Sequence, residues 1–80
     1  MSLFSKGEVH TYIVGVYGMK CGMCEAHVND IIRKNFNVKK VKSSHLKNQT
    51  IIESKYNLDL EKVKKAIASA GYEVKDITVE

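Results

Sequence analysis

Along this chain, apolar residues first alternate with polar ones, then recur at helical spacing, and the cycle repeats. The run Val9–Tyr17 is β-branched and aromatic, which predicts a strand. Its alternation puts Tyr12, Val14 and Val16 on one face and Thr11, Ile13, Gly15 and Tyr17 on the other. Gly18 breaks it. From about Met23 the positions Cys24, Val28, Ile31 and Ile32 follow the i, i+4, i+7, i+8 rule, with Glu25, Asn29, Asp30, Arg33 and Lys34 outside. That helix should end at Asn35 and Asn37. Val38–His45 reads as a lysine-rich strand, Leu46–Gln49 as a turn and Thr50–Tyr56 as the returning strand of a hairpin. Within that strand Val41 and His45 share the inward parity, and Lys39, Lys40 and Lys42 suit an edge that must refuse other strands.

The second helix carries the clearest signals. Asp59 stands at its N-cap, Glu61 in its first turn, and Leu58 can staple onto Val63. Val63, Ala66, Ile67 and Ala70 form the stripe to be buried, and Gly71 supplies a left-handed stop. Tyr72–Val79 is a last strand whose parity conflicts, Tyr72 and Val74 alternating one way and Ile77 and Val79 the other; a bulge or an early end reconciles them. The order β-α-β-β-α-β predicts an α+β fold, a ferredoxin-like βαββαβ sandwich with two helices on one face of a four-stranded antiparallel sheet. In that topology the end of the first strand, the hairpin turn and the end of the second helix meet at one edge of the sheet.

Eighty residues make one domain, and one that is marginal on burial alone. Met1–Glu8 is polar and featureless, so residues 1–8 are expected as a disordered extension and residues 9–80 as the domain. The net charge of +4 favours encounters with acidic surfaces but falls short of a nucleic-acid footprint. No apolar run has the length of a membrane span and no segment resembles a signal peptide, so no membrane insertion is expected and the cytoplasm is the default compartment. Thiols stay reduced there, which favours metal binding or redox exchange over a structural disulfide.

That matters because the two cysteines, Cys21 and Cys24, fall together in Gly18-Met19-Lys20-Cys21-Gly22-Met23-Cys24, where a strand feeds a helix. Amide N–H groups and the positive end of the helix dipole lie at such a junction, and both favour thiolate over thiol, as does the neighbouring cation Lys20. Soft thiolates select Cu(I), Zn(II) and similar ions. Two thiols do not meet the four-ligand demand of structural zinc. Cu(I) accepts two sulfurs, and an exposed, under-coordinated ion can pass to a partner that brings its own thiols. A thiol–disulfide redox protein is the alternative from another class, weakened by the lack of a thioredoxin-like frame.

The run Gly-Met-x-Cys-x-x-Cys at the end of a first strand, within this six-element frame, resembles the heavy-metal-associated domain of copper chaperones and of the N-terminal modules of metal-transporting P-type ATPases. The resemblance extends from about Thr11 to Val74 and includes Ala70-Gly71-Tyr72. It implies that Cys21 and Cys24 are metal ligands, that Met19 is a buried anchor beneath the loop, and that Tyr72 approaches from the opposite loop. It also implies a binding and transfer module rather than an enzyme, with a P-type ATPase or its metal-binding domain as partner; an open site also allows a metal-bridged homodimer. Cu(I) is the expected ion; Zn(II), Cd(II) or Hg(II) is the alternative. Lys20 stands where the family often has Thr, Ser, His or Asp, and Ser43 and His45 where it usually has apolar core residues. Met23 is expected in solvent, His27 as a solvated helix residue, and His45 as a partly exposed histidine with a third-ligand role as the sharper reading. Lys62, Lys64 and Lys65 are either a docking face or a solvated one.

Overall fold

Strand β1 (His10–Tyr17) buries alternate side chains, Tyr12, Val14 and Val16, as its pattern requires. The computed structural model describes residues 9–80, and the extension expected over residues 1–8 lies outside them. Helix α1 (Gly22–Asn35) follows, then the hairpin β2 (Lys40–Ser44) and β3 (Gln49–Ser54), helix α2 (Leu60–Ser69) and strand β4 (Glu73–Val79). The sheet runs β2-β3-β1-β4 with every neighbouring pair antiparallel. This is the βαββαβ sandwich, both helices packing on one face.

Between that face and the helices lie Val14, Val16, Val28, Ile32, Val41, Ile52, Val63 and Ile67. Each such side chain removed from water is worth about 1.5–3 kcal/mol, enough together to hold a sheet whose other face stays open. The stripe on α2 narrows to Val63 and Ile67, with Ala66 and Ala70 half-buried. Asp59 caps that helix as its position demands, its side chain accepting from the amides of Glu61 and Lys62.

β2 is shorter than the sequence pattern: the chain enters the ladder only at Lys40 and leaves it at Ser44, because the turn already begins at His45. Its lysines do line a sheet edge. β4 carries the register shift its conflicting parity implied. Val14 pairs with Ile77 but Val16 with Val74, so Lys75 and Asp76 both face Gly15. A Cβ on Gly15 would lie 2.7 Å from Asp76 Oδ1, the tip of an exposed side chain that can swing aside.

The core also contains a polar seam. Ser43 and Thr50 are cross-strand partners, both buried; their hydroxyls meet at 2.8 Å, and Ser43 Oγ donates to Asn29 Oδ1 on α1 at 2.7 Å. Ser43 thus occupies an inward position without being apolar, its hydroxyl satisfied from both sides. At the far end of the sheet the Tyr12 hydroxyl donates to the Tyr56 carbonyl and accepts from the Leu58 amide, fixing the approach to α2.

Candidate metal centre

The loop between β1 and α1 turns at Gly18, whose φ of +110° is closed to most side chains. The chain then buries Met19, 5% exposed, against the core and lifts Lys20 and Cys21 into solvent. Met19 is the anchor that the sequence implied. Cys21 takes the N-cap position of α1 in extended backbone; its carbonyl accepts from the amides of Cys24 and Glu25 at 3.1 and 3.2 Å, while its side chain caps nothing. A serine or aspartate there would spend its oxygen on the first-turn amides. The thiol is committed to none of them, and its exposed sulfur is left to Cys24 and to solvent. Cys24, half-buried, packs against the core one turn further on.

The environment of Cys24 holds its thiol below the ordinary value. A backbone hydrogen bond from Lys20 contributes most, then one from the Tyr72 hydroxyl; partial burial opposes them, and Cys21 adds smaller hydrogen bonds. The expected preference for thiolate therefore holds at Cys24 but from another source, since the peptide group of Lys20 acts and not its ammonium. Tyr72 responds in the opposite sense. Burial first, then the hydrogen bond to Cys24 and the charges of both cysteines, push its phenol above the usual range, so the hydroxyl keeps its proton and donates.

Tyr72 comes from the loop after α2, where Gly71, with φ of +99°, reverses the chain. It leans over Gly18 so closely that a Cβ there would sit 3.4 Å from Tyr72 Cδ1. The loop, the hairpin turn and the end of α2 do converge. The turn is tied to β1 by the Val16 amide donating to the Asn48 carbonyl at 2.9 Å, with Asn48 in the left-handed region that asparagine tolerates.

Two sequence expectations need correction or extension. His45 does not share the inward face with Val41; it opens the turn, partly exposed, and its backbone N–H and Nδ1 both meet Glu25 Oε2, at 2.7 and 2.6 Å. The backbone N–H of His45 and then its imidazole hold the Glu25 carboxyl below its usual range, against a smaller upward push from burial. His45 is therefore a clasp between hairpin and helix. His27 is exposed, as expected, but engaged, its Nδ1 lying 3.1 Å from the Tyr72 hydroxyl across a separation of 45 residues. Its place one turn after Cys24, on the same helix face, was the available signal. Met23 is in solvent, 82% exposed. Among the described residues, no group of three or more His, Cys, Asp or Glu side chains could enclose a metal ion, so the site offers two sulfurs. Neither is paired in a disulfide.

Solved structures with the same fold share this frame. The chain matches a structure titled CopZ metallochaperone at 25% identity and TM-score 0.73, over 81% of this chain and 98% of that one. It matches oxidized MerP from Ralstonia metallidurans CH34 at 28% identity and TM-score 0.71, over 91% and 99%. A copper binding domain from HMA7, a P-type ATPase, matches at 25% identity and TM-score 0.67, over 89% and 93%. No family model and no curated protein matches the sequence.

Proposed function

We propose that this chain, which resembles the heavy-metal-associated domains in sequence motif and in fold, captures one soft metal ion between Cys21 and Cys24 and passes it on by ligand exchange. One observation carries this reading. Two unpaired thiols sit at the N-terminus of α1, Cys21 exposed at its cap and Cys24 half-buried in its first turn, with Cys24 biased toward thiolate by a backbone hydrogen bond and the Tyr72 hydroxyl. Cu(I) is the ion we assign, because it is content with two sulfurs, whereas Zn(II) at such a loop would have to recruit two further ligands. Glu25 and His45, two candidates for that task, are bonded to each other.

A dithiol partner could attack the bound ion from the solvent side, where Cys21 and Met23 lie open. The partner we assign is a metal-transporting P-type ATPase or its metal-binding domain, and the setting a reducing cytoplasm. No described helix is long and apolar enough to cross a membrane. The role is capture and release, with no catalysed reaction.

Anaerobic Cu(I) titration against a chromophoric competitor tests the assignment. The wild type should take up one equivalent, and Cys21→Ser combined with Cys24→Ser should lose that uptake; equal affinity in the double variant removes the proposal. X-ray absorption on the loaded protein separates the ions, two short sulfur contacts indicating Cu(I) and added nitrogen or oxygen contacts indicating Zn(II). Size-exclusion at the same stoichiometry tells capture by one chain from bridging between two.

A further inference from the structure

Helix α1 opens without the side-chain cap that α2 has. Asp59 secures the first turn of α2 by accepting from the amides of Glu61 and Lys62. At the same place in α1 stands Cys21, whose side chain accepts from no amide of the turn. Its carbonyl takes the amides of Cys24 and Glu25, at 3.1 and 3.2 Å. A helix end held by backbone bonds alone is prone to fray. This end carries both cysteines.

Another segment supplies a restraint. Glu25, the residue after Cys24, sends its carboxyl group to the hairpin turn, where Oε2 accepts from the His45 backbone N–H at 2.7 Å and lies 2.6 Å from His45 Nδ1. The backbone N–H donates whatever the state of the ring, and the second contact is a hydrogen bond whichever of its two atoms carries the proton. The His45 and Glu25 side chains are 33% and 25% exposed, so water competes for these bonds less than at an open surface. The turn is secured in its own right. Its last residue, Asn48, accepts from the Val16 amide at 2.9 Å, and Ser44 Oγ accepts from the Lys47 amide at 3.2 Å. Val16 and Glu25, on either side of the cysteine loop, are thus tied to the two ends of one turn. Further along the same face of α1, Asn29 accepts from Ser43, which gives the body of the helix a separate tie to the hairpin.

We propose that His45 is a positioning residue for the two thiols, fastening the first turn of α1 through Glu25 in place of the side-chain cap that Cys21 does not provide. Cys21 and Cys24 are thereby kept at their helical spacing with no ion present. In the capture proposed above, on which this consequence rests, the ion meets a turn already wound. After release the same bonds keep it wound for the next ion. The hairpin turn then supports the site without contributing a ligand to it.

The test uses the reduced, metal-free protein, so its outcome is independent of whether the chain carries Cu(I). Native-state hydrogen exchange followed by NMR compares the Cys24 and Glu25 amides with that of Ile32, buried deeper in α1. If the first turn cannot open with the clasp shut, His45→Ala should lower protection at Cys24 and Glu25 about three- to tenfold, the weight of one hydrogen bond, along with that at Ile32. His45→Asn, whose side-chain nitrogen stands close to where Nδ1 stood, should restore it. In a Glu25→Ala background His45→Ala should change nothing at the first turn, because the intermediary is gone. A further readout needs no variant to fold. In the unmutated protein the His45 amide, bonded to Glu25 Oε2, should exchange at least as readily as the Glu25 amide, since every opening of the turn also opens the clasp. Unchanged protection at Cys24 and Glu25 in His45→Ala, even with a loss at Ile32, would make His45 a fastener of the hairpin alone and overturns the proposal. So does an equal loss with Glu25→Ala present, or a His45 amide protected well beyond that of Glu25.

Discussion

Adding a single methyl group at Gly18 should destabilise the domain, while the same methyl at Gly22 should not. Gly18 sits at φ of +110°, outside the basins an L side chain adopts, and forcing alanine into such a region costs about 1–3 kcal/mol. The nearest atom to the new Cβ would be Tyr72 Cδ1 at 3.4 Å, a van der Waals contact, so backbone strain and not collision sets the magnitude. Alanine also restricts the unfolded chain, returning about 0.4–1 kcal/mol, which leaves a net loss of roughly 1–2 kcal/mol. For a domain of this size that lowers Tm by roughly 4–15 °C. Gly22 opens α1 with ordinary backbone, and a Cβ there would meet nothing within 4 Å, so Gly22→Ala should gain about 0.4–1 kcal/mol. Thermal unfolding of the reduced, metal-free protein by far-UV circular dichroism measures both. A Gly18→Ala protein as stable as its parent, or a Gly22→Ala protein that loses as much, would refute this account of the loop.

Three further outcomes follow from other contacts. Ser43→Ala should cost about 1–3 kcal/mol in urea unfolding by stranding the buried Thr50 hydroxyl, and Ser43→Ala with Thr50→Val, which removes both hydroxyls, should cost less than the single change. Asp59→Ala should cost about 1 kcal/mol by uncapping α2, seen as a lower urea midpoint with an unchanged slope. Glu25 has a folded-state pKa depressed below its ordinary 4.5, so its contribution is complete above that value and is lost as pH falls through the lower folded value. Acid titration of stability should therefore show a component beginning near pH 4.5 that is missing in Glu25→Gln; identical acid profiles would remove the clasp as a source of stability.

Much of the frame could be read from the residues because its signals are local. The caps of α2, the two faces of β1 and the Gly-Met-x-Cys-x-x-Cys junction each lie within a few consecutive positions. The parity conflict in β4 also announced its bulge, although only the structure pairs Lys75 and Asp76 with Gly15. What escaped depends on contacts between distant segments. Strand alternation placed His45 inward, but the turn starts there and Glu25 claims both of its donors. The Lys20 ammonium looked like the charge that would favour thiolate, yet the backbone of the same residue is what reaches Cys24. His27 looked like solvated helix surface because its partner lies 45 residues away.

Because Tyr72 precedes β4 and β4 pairs with β1, the cover over the thiols comes from the chain's far side. During synthesis, Gly18–Cys24 are made before Tyr72 exists, and until then the thiols have no phenol beside them. The hairpin supplies the Glu25–His45 clasp from an earlier stretch of the chain, whereas Tyr72 comes in with β4. A nascent chain therefore passes through an interval in which the cysteines are present but not yet tuned by Tyr72. Oxidants and stray metal ions would meet a different chemistry in that interval from the one the finished domain presents.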